Sequence, residues 1–270
     1  MADEIEDKEL VVLQTMGDNA AFTGLPEAYY KLTNKKLAVS CVSQAYAYLW
    51  ERNPYVEYQG TRLNKCLLTP PEAMGRLIYS QTYKPVYFFG QLTGKIFSSR
   101  ALQPNLYLQR DPIKKRLIVC DEAGWPNRRG YPHFKKTVQA MKQDGWDVVH
   151  LIGRTKVWHY GHEYPWTNEL EGLKLDTAQF TNCKDVVDFM ATGSAFIGYE
   201  SGLAHVAGAL RMPYAFFAGG TSVSANRHPS CVFAVDGCFN VCLLHACSNH
   251  CITRLVDHAD QVVAAFKEFK

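Results

Sequence analysis

The sequence has no long hydrophobic run. No stretch approaches the about 18 apolar residues that a membrane-spanning helix needs, so a transmembrane segment is not expected. The opening MADEIEDKEL is acidic and has no apolar core, which argues against a secretory signal. With nothing pointing to export, a cytoplasmic location is expected. The nine cysteines are then read as thiols or metal ligands and not as a disulfide framework. Blocks of like charge are also missing, and the net charge is only +3. A protein devoted to nucleic acid would carry a basic stripe; this balance suits one local site for a small anion. Internal repeats and low-complexity tracts are absent too.

What is present is an apolar fraction of 47% over 270 residues, enough for one large or two ordinary domains with packed cores. Short β-rich runs alternate with helical stretches. In the first half, strands are expected at Leu10 to Leu13 and Leu37 to Val42. Helices are expected from Asn19 to Leu32, Ser43 to Arg52 and Pro71 to Tyr79. Between Lys84 and Asp111 the signals are mixed, and 102–115 is read as a linker. The second half reads more clearly. Strands are expected at Arg116 to Cys120, Asp147 to Ile152, Ser194 to Tyr199 and Pro213 to Phe217. Helices are expected over Tyr131 to Asp144, Cys183 to Thr192 and Ser201 to Arg211. A last helix, Asp257 to Phe269, presents Val262, Val263, Phe266 and Phe269 on one face. This alternation predicts an α/β fold with parallel sheets, whose ligands bind beyond the carboxyl ends of the strands.

The segment Phe196 to Gly220 carries the strongest chemical signal. A buried strand delivers Tyr199-Glu200-Ser201-Gly202 at its carboxyl end, and a helix starts there. Gly202 admits close approach to the backbone, while the helix start supplies free N–H groups and a positive dipole end suited to a diphosphate. Ser201 fits an N-cap or a phosphate donor. Glu200 would repel phosphate and suits a neutral hydroxyl, such as a ribose diol. His205 lies four residues after Ser201, on the same helix face. The competing reading is a Ser-capped core helix with an incidental histidine.

The pattern Glu200-Ser201-Gly202, His205, Ala207, Ala209-Leu210 and Pro213 resembles the nucleotide-sugar motif of glycosyltransferase family 9, the ADP-heptose lipopolysaccharide heptosyltransferases of the GT-B fold. The family usually has Asp where Glu200 stands. Gly17-Asp18, Pro26, Asn53-Pro54-Tyr55-Val56 and the segment Ala123 to Tyr131 resemble further family segments in the same order, whereas residues 60–110 show no match.

The resemblance implies two Rossmann-like domains facing a cleft: an acceptor domain over residues 1–105 and a nucleotide-sugar domain over 106–270. It implies donor contacts from Glu200, Ser201, Gly202, Leu203 and His205, with Arg128 and Arg129 at the leaving diphosphate. Arg154 and Lys156 are further candidates. It gives Asp18 the role of general base, since an acceptor hydroxyl needs a carboxylate in reach to lose its proton during attack. Read without the resemblance, Asp18 is a helix N-cap, and Arg128-Arg129 is a solvated loop.

The implied activity is inverting transfer of a heptose or hexose from a nucleoside-diphosphate sugar to a glycan, lipid-linked or protein acceptor. Alternatives are a non-catalytic sugar-nucleotide or glycan binder and a sugar-nucleotide epimerase. No cofactor is implied for catalysis. Cys238, Cys242, Cys247 and Cys251, beside Cys231, lack the paired spacing of most zinc knuckles. Family members carry cysteines in this region, some with iron, so a structural Zn or Fe site stands beside the reading of packed thiols. A homo-oligomer is left open.

Overall fold

The structure, a computed structural model, describes residues 9–12, 15–41, 43–61, 84–94, 98, 100–122, 130–152, 156–159, 162–165, 168–219, 222–237 and 252–269. The first half runs β1 (Glu9–Val12), α1 (Met16–Phe22), α2 (Leu25–Thr33), β2 (Leu37–Cys41), a 3-10 turn (Gln44–Tyr46), α3 (Tyr48–Glu51), β3 (Val56–Thr61) and α4 (Lys84–Thr93). Its strands form a parallel sheet in the order β1-β2-β3, with Leu10 opposite Val39 and Val39 opposite Tyr58.

The second half runs β4 (Arg116–Cys120), α5 (Phe134–Gln143), β5 (Asp147–Ile152), an antiparallel hairpin β6 (Lys156–His159) and β7 (His162–Pro165), and β8 (Asp176–Gln179). Then follow α6 (Cys183–Ala191), β9 (Ala195–Tyr199), α7 (Gly202–Ala209), β10 (Tyr214–Ala218), α8 (Val223–Asn226), β11 (Cys231–Asp236) and α9 (Ala259–Glu268). Six strands form one parallel sheet ordered β11-β10-β9-β4-β5-β8. Counted along the chain this is the doubly wound 3-2-1-4-5-6 order, and the winding across the sheet reverses between β4 and β9. That reversal places the ends of β4 and β9 side by side, at Asp121 and at Glu200-Ser201.

Strands β9 and β10 are apolar throughout because helices cover both sheet faces. Every residue of β9 and β10 is buried. On one face α6 and α7 supply Val187, Met190, Val206 and Ala207, in a core that continues into the first half through Phe22, Tyr29 and Trp50. On the other face α5 and α9 supply Phe134, Val138, Met141, Val262 and Phe266. Residues 102–115 carry no helix or strand but are docked on the second half. Leu106 donates its N–H to Ala209, and Arg110 donates to the carbonyls of Gly193 and Leu210 at 2.6 and 3.3 Å.

Several expectations are corrected. The helix expected over 19–32 is two helices. The break falls at Thr23, whose carbonyl accepts from Asn53 Nδ2 at 2.9 Å and whose Oγ1 accepts from Asn105 N at 3.0 Å, so tertiary bonds replace the next helical one. The stretch 43–52 is a 3-10 turn and a four-residue helix. Phe269 does not join the apolar face of α9; it lies beyond the helix end and is 47% exposed. The helix expected over 71–79 lies outside the described residues. No described helix is long and apolar enough to cross a membrane.

In the first half, Asn19 on α1 is fully buried, accepts from Trp50 Nε1 at 2.9 Å and donates to Thr15 O at 3.0 Å. Asn19→Leu keeps a branched side chain with the same number of heavy atoms but leaves a buried indole N–H unmatched, a cost of about 1–3 kcal/mol. Urea unfolding should show a lower midpoint with an unchanged slope.

Candidate functional site

The site is built where β9 ends. Glu200 closes the strand, is 2% exposed, and donates its N–H to Phe217 O at 3.1 Å. Ser201 follows in an extended conformation (φ −152°, ψ 174°) as the N-cap of α7, and its side chain makes no capping bond. Ser201 Oγ is buried with no hydrogen-bond partner among the described residues. The opening amides of α7, which no earlier turn can satisfy, therefore sit beside an uncommitted hydroxyl. Leu203 packs partly buried against the core. His205 is buried in the second turn, its N–H on Ser201 O and its Nδ1 2.8 Å from His228 Nε2.

The close approach at Gly202 is made by α1. A Cβ on Gly17 would lie 2.7 Å from Gly202 Cα and 3.1 Å from His205 Cδ2, and a Cβ on Gly202 would lie 3.3 Å from Gly17 N. The starts of α1 and α7 thus meet main chain to main chain. Each helix start carries about half a positive charge, so their convergence favours negative charge at the seam. Part of that charge is built in. Asp18, the residue after Gly17, is the third residue of α1, and Thr15 is the N-cap. Asp18 Oδ2 accepts from Thr15 N at 3.3 Å and from Thr15 Oγ1 at 3.1 Å, forming a capping box. The expectation of Asp18 as an N-cap is corrected on this point: its carboxylate closes the first turn from inside.

A second set of buried polar groups lies along the same sheet edge. Asp121, fully buried at the end of β4, accepts from His150 Nε2 at 2.9 Å and from Glu169 N at 2.6 Å. Tyr199, at the end of β9, donates to the Glu169 carboxylate and accepts from Tyr131 N at 3.0 Å and Gly130 N at 3.2 Å. Burial, reinforced by Glu169, pushes the Tyr199 phenol well up, so it stays a neutral donor. These bonds fix the main chain at Gly130, which follows Arg128 and Arg129 in sequence.

Arg128 and Arg129 themselves, with Arg154, lie outside the described residues, as do Cys238, Cys242, Cys247 and Cys251. Lys156 falls in the hairpin strand β6. Among the described residues no group of three or more His, Cys, Asp or Glu could hold a metal. Cys41, Cys120, Cys183 and Cys231 are buried thiols. Burial raises the last two to about 12. A cleft of about 360 Å³ opens between the halves, lined by Gln44, Ala47, Tyr48 and Glu51 on one side and Asn182 and Lys184 on the other. It is bridged by the Tyr48 hydroxyl on Asp188, and none of Asp18, Glu200–Leu203 or His205 lines it. Asp121, Tyr199 and His228 were not singled out as site residues from the sequence; the position of Asp121 directly after the run RLIVC was the one available signal.

The glycosyltransferase family 9 (heptosyltransferase) model matches residues 98–221, just under half of the chain, and includes the Glu200 to Pro213 motif. Among solved structures, the iron-containing dodecameric glycosyltransferase TibC from enterotoxigenic E. coli is similar at 16% identity and a TM-score of 0.66, covering 98% of this chain and 77% of its own. E. coli heptosyltransferase WaaC with ADP is similar at 11% identity and a TM-score of 0.59, covering 97% and 99%. E. coli ADP-heptose lps heptosyltransferase II is similar at 13% identity and a TM-score of 0.56, covering 96% and 98%. No curated protein sequence matches the chain. The resemblance seen in the Ala123 to Tyr131 and Glu200 to Pro213 segments is borne out by the family match, which does not reach Gly17-Asp18, Pro26 or Asn53 to Val56, and the two Rossmann-like halves of the GT-B fold are borne out by the structures.

The seam gives a direct stability test. Gly17→Ala places a methyl against the main chain of Gly202, which cannot swing aside as a side chain would. A loss of about 1–3 kcal/mol is expected, read as a lower melting temperature, opposite in sign to the gain that helix propensity alone would give a Gly-to-Ala change.

Proposed function

We propose that this chain, which matches the glycosyltransferase family 9 model over residues 98–221 and shares the fold of heptosyltransferase structures, transfers a sugar from a nucleoside-diphosphate donor to an acceptor hydroxyl with inversion. One observation carries the reading. An uncapped helix start, with the unpartnered hydroxyl of Ser201 beside it, stands where the winding of a 3-2-1-4-5-6 sheet reverses. Such a start favours a diphosphate on both dipole and hydrogen-bond grounds. An ADP-linked heptose is the first donor to try, because structures similar to this chain are described with ADP and with ADP-D-beta-D-heptose.

In this reading the α7 amides and Ser201 hold the diphosphate, Glu200 takes a hydroxyl of the donor, and Arg128 and Arg129 stabilise the departing charge. Asp18 removes the acceptor proton as the hydroxyl attacks the anomeric carbon. The acceptor domain is assigned to residues 1–105 and the donor domain to 106–270. No step is routed through a metal. Cys238, Cys242, Cys247 and Cys251 are a candidate structural zinc or iron site, which elemental analysis of the purified chain decides.

The capping box favours a second reading. It already gives the Asp18 carboxylate a structural task, which suits a sugar-nucleotide binder that performs no transfer. Asp18→Asn separates the two. As a transferase base, Asp18 should be worth roughly 10²- to 10⁴-fold in turnover. Released ADP, measured with ADP-heptose and a panel of acceptors, should fall by that factor while ADP affinity by calorimetry stays within about threefold. Undiminished turnover removes Asp18 from the role. Binding without release by the unaltered chain on every acceptor supports the binder.

A further inference from the structure

His205 faces two ways. Its Nδ1 lies 2.8 Å from His228 Nε2, while its Cδ2 edge lies against Gly17 at the start of α1. In an imidazole ring Nε2 adjoins Cδ2, on the side away from Nδ1, so the edge that carries Nε2 is the one toward the α1–α7 seam.

His228 is held tightly for a residue in the loop between α8 and β11. It is 1% exposed, donates its N–H to the Tyr214 hydroxyl at 2.9 Å, and accepts at its carbonyl from Cys231 N at 2.9 Å. Its ring presses on α7 where Gly208 leaves room: a Cβ there would lie 2.2 Å from His228 Cδ2. Both main chain and packing thus hold the ring that meets His205.

Two ring nitrogens at 2.8 Å share one proton, because two bare lone pairs or two N–H groups would repel. The tautomers of the two histidines are therefore coupled. If His205 Nδ1 carries the shared proton, its Nε2 is a bare acceptor that repels an anion. If His228 Nε2 carries it, His205 keeps its own proton on Nε2 and offers a donor. Between two neutral rings, an anion at the start of α7 is compatible with the second arrangement only.

We propose that His228 is a positioning residue for His205: its Nε2–H donates to His205 Nδ1 and holds the His205 proton on Nε2, aimed at a phosphate oxygen of a nucleoside diphosphate. The inference rests on the reading of α7 as the donor helix. Outer groups that fix which nitrogen of a working histidine carries the proton act in this way elsewhere.

The test is long-range ¹H–¹⁵N correlation of the histidine rings in the full chain, with His205→Asn used to assign the signals and ADP as the probe. The unaltered chain should show His205 as the Nε2-protonated tautomer, and ADP should shift that nitrogen. His228→Gln, whose amide N–H can replace the ring donor, should keep the tautomer and hold ADP affinity within about threefold. His228→Leu should release His205 into a mixture of tautomers and weaken ADP about tenfold. An Nδ1-protonated His205 in the unaltered chain overturns the proposal, and so does an unchanged tautomer in His228→Leu. Should His228→Leu not fold, the unaltered chain and His228→Gln still decide. Coupled tautomers with no response of His205 to ADP would instead overturn the donor reading, leaving the coupling without the purpose given to it here.

Discussion

The start of α1 rests on the start of α7 main chain to main chain, and the relation between the two halves turns on that contact. At Gly17 a Cβ would come within 2.7 Å of Gly202 Cα, so neither helix can move closer and neither position accepts a larger residue without separating them. Two helix ends of the same partial charge are unfavourable neighbours. The seam relieves this with the Asp18 carboxylate inside the first turn of α1 and with Glu200 buried just ahead of α7. An anionic ligand would add to the same compensation, so the stability of the seam and the affinity for a diphosphate share one electrostatic cause.

The rest of the second half serves that geometry. The six-stranded sheet fixes where β4 and β9 end, and its two covered faces leave those ends little freedom to shift. Tyr199 ties the main chain at Gly130 to the end of β9, and Asp121 ties His150 and Glu169 to the end of β4. Both halves are then joined again by the linker, through Asn105 on Thr23 and Arg110 on Gly193, and by the Tyr48 hydroxyl on Asp188. A shift in one half would be felt at the start of α7 by more than one route.

What could be read from the sequence follows from what is local. β9 and β10 were legible because a strand buried on both faces is a continuous apolar run, and the junction Glu200-Ser201-Gly202 was legible because a helix pattern begins where that run stops. β8 was not, since its residues DTAQ form an exposed edge strand with no apolar signal. β3 also escaped, with alternate residues exposed. The break between α1 and α2 depends on Asn53 and Asn105, 30 and 82 residues from Thr23, and no local pattern encodes such bonds. His228 belongs to the same class: NRHPS carries no motif, and its meaning comes from the fit of its ring over Gly208 and onto His205. The site motif could be found by inspection, but the contacts that orient it could not.

The central claim is that the opening amides of α7 receive a diphosphate. A backbone amide titration of the full chain with ADP tests it most directly. The account predicts saturable shifts concentrated at Ser201 to His205, with Gly17 following across the seam. Shifts confined to the cleft lined by Gln44, Tyr48 and Lys184, with the α7 amides unmoved at saturation, would contradict it.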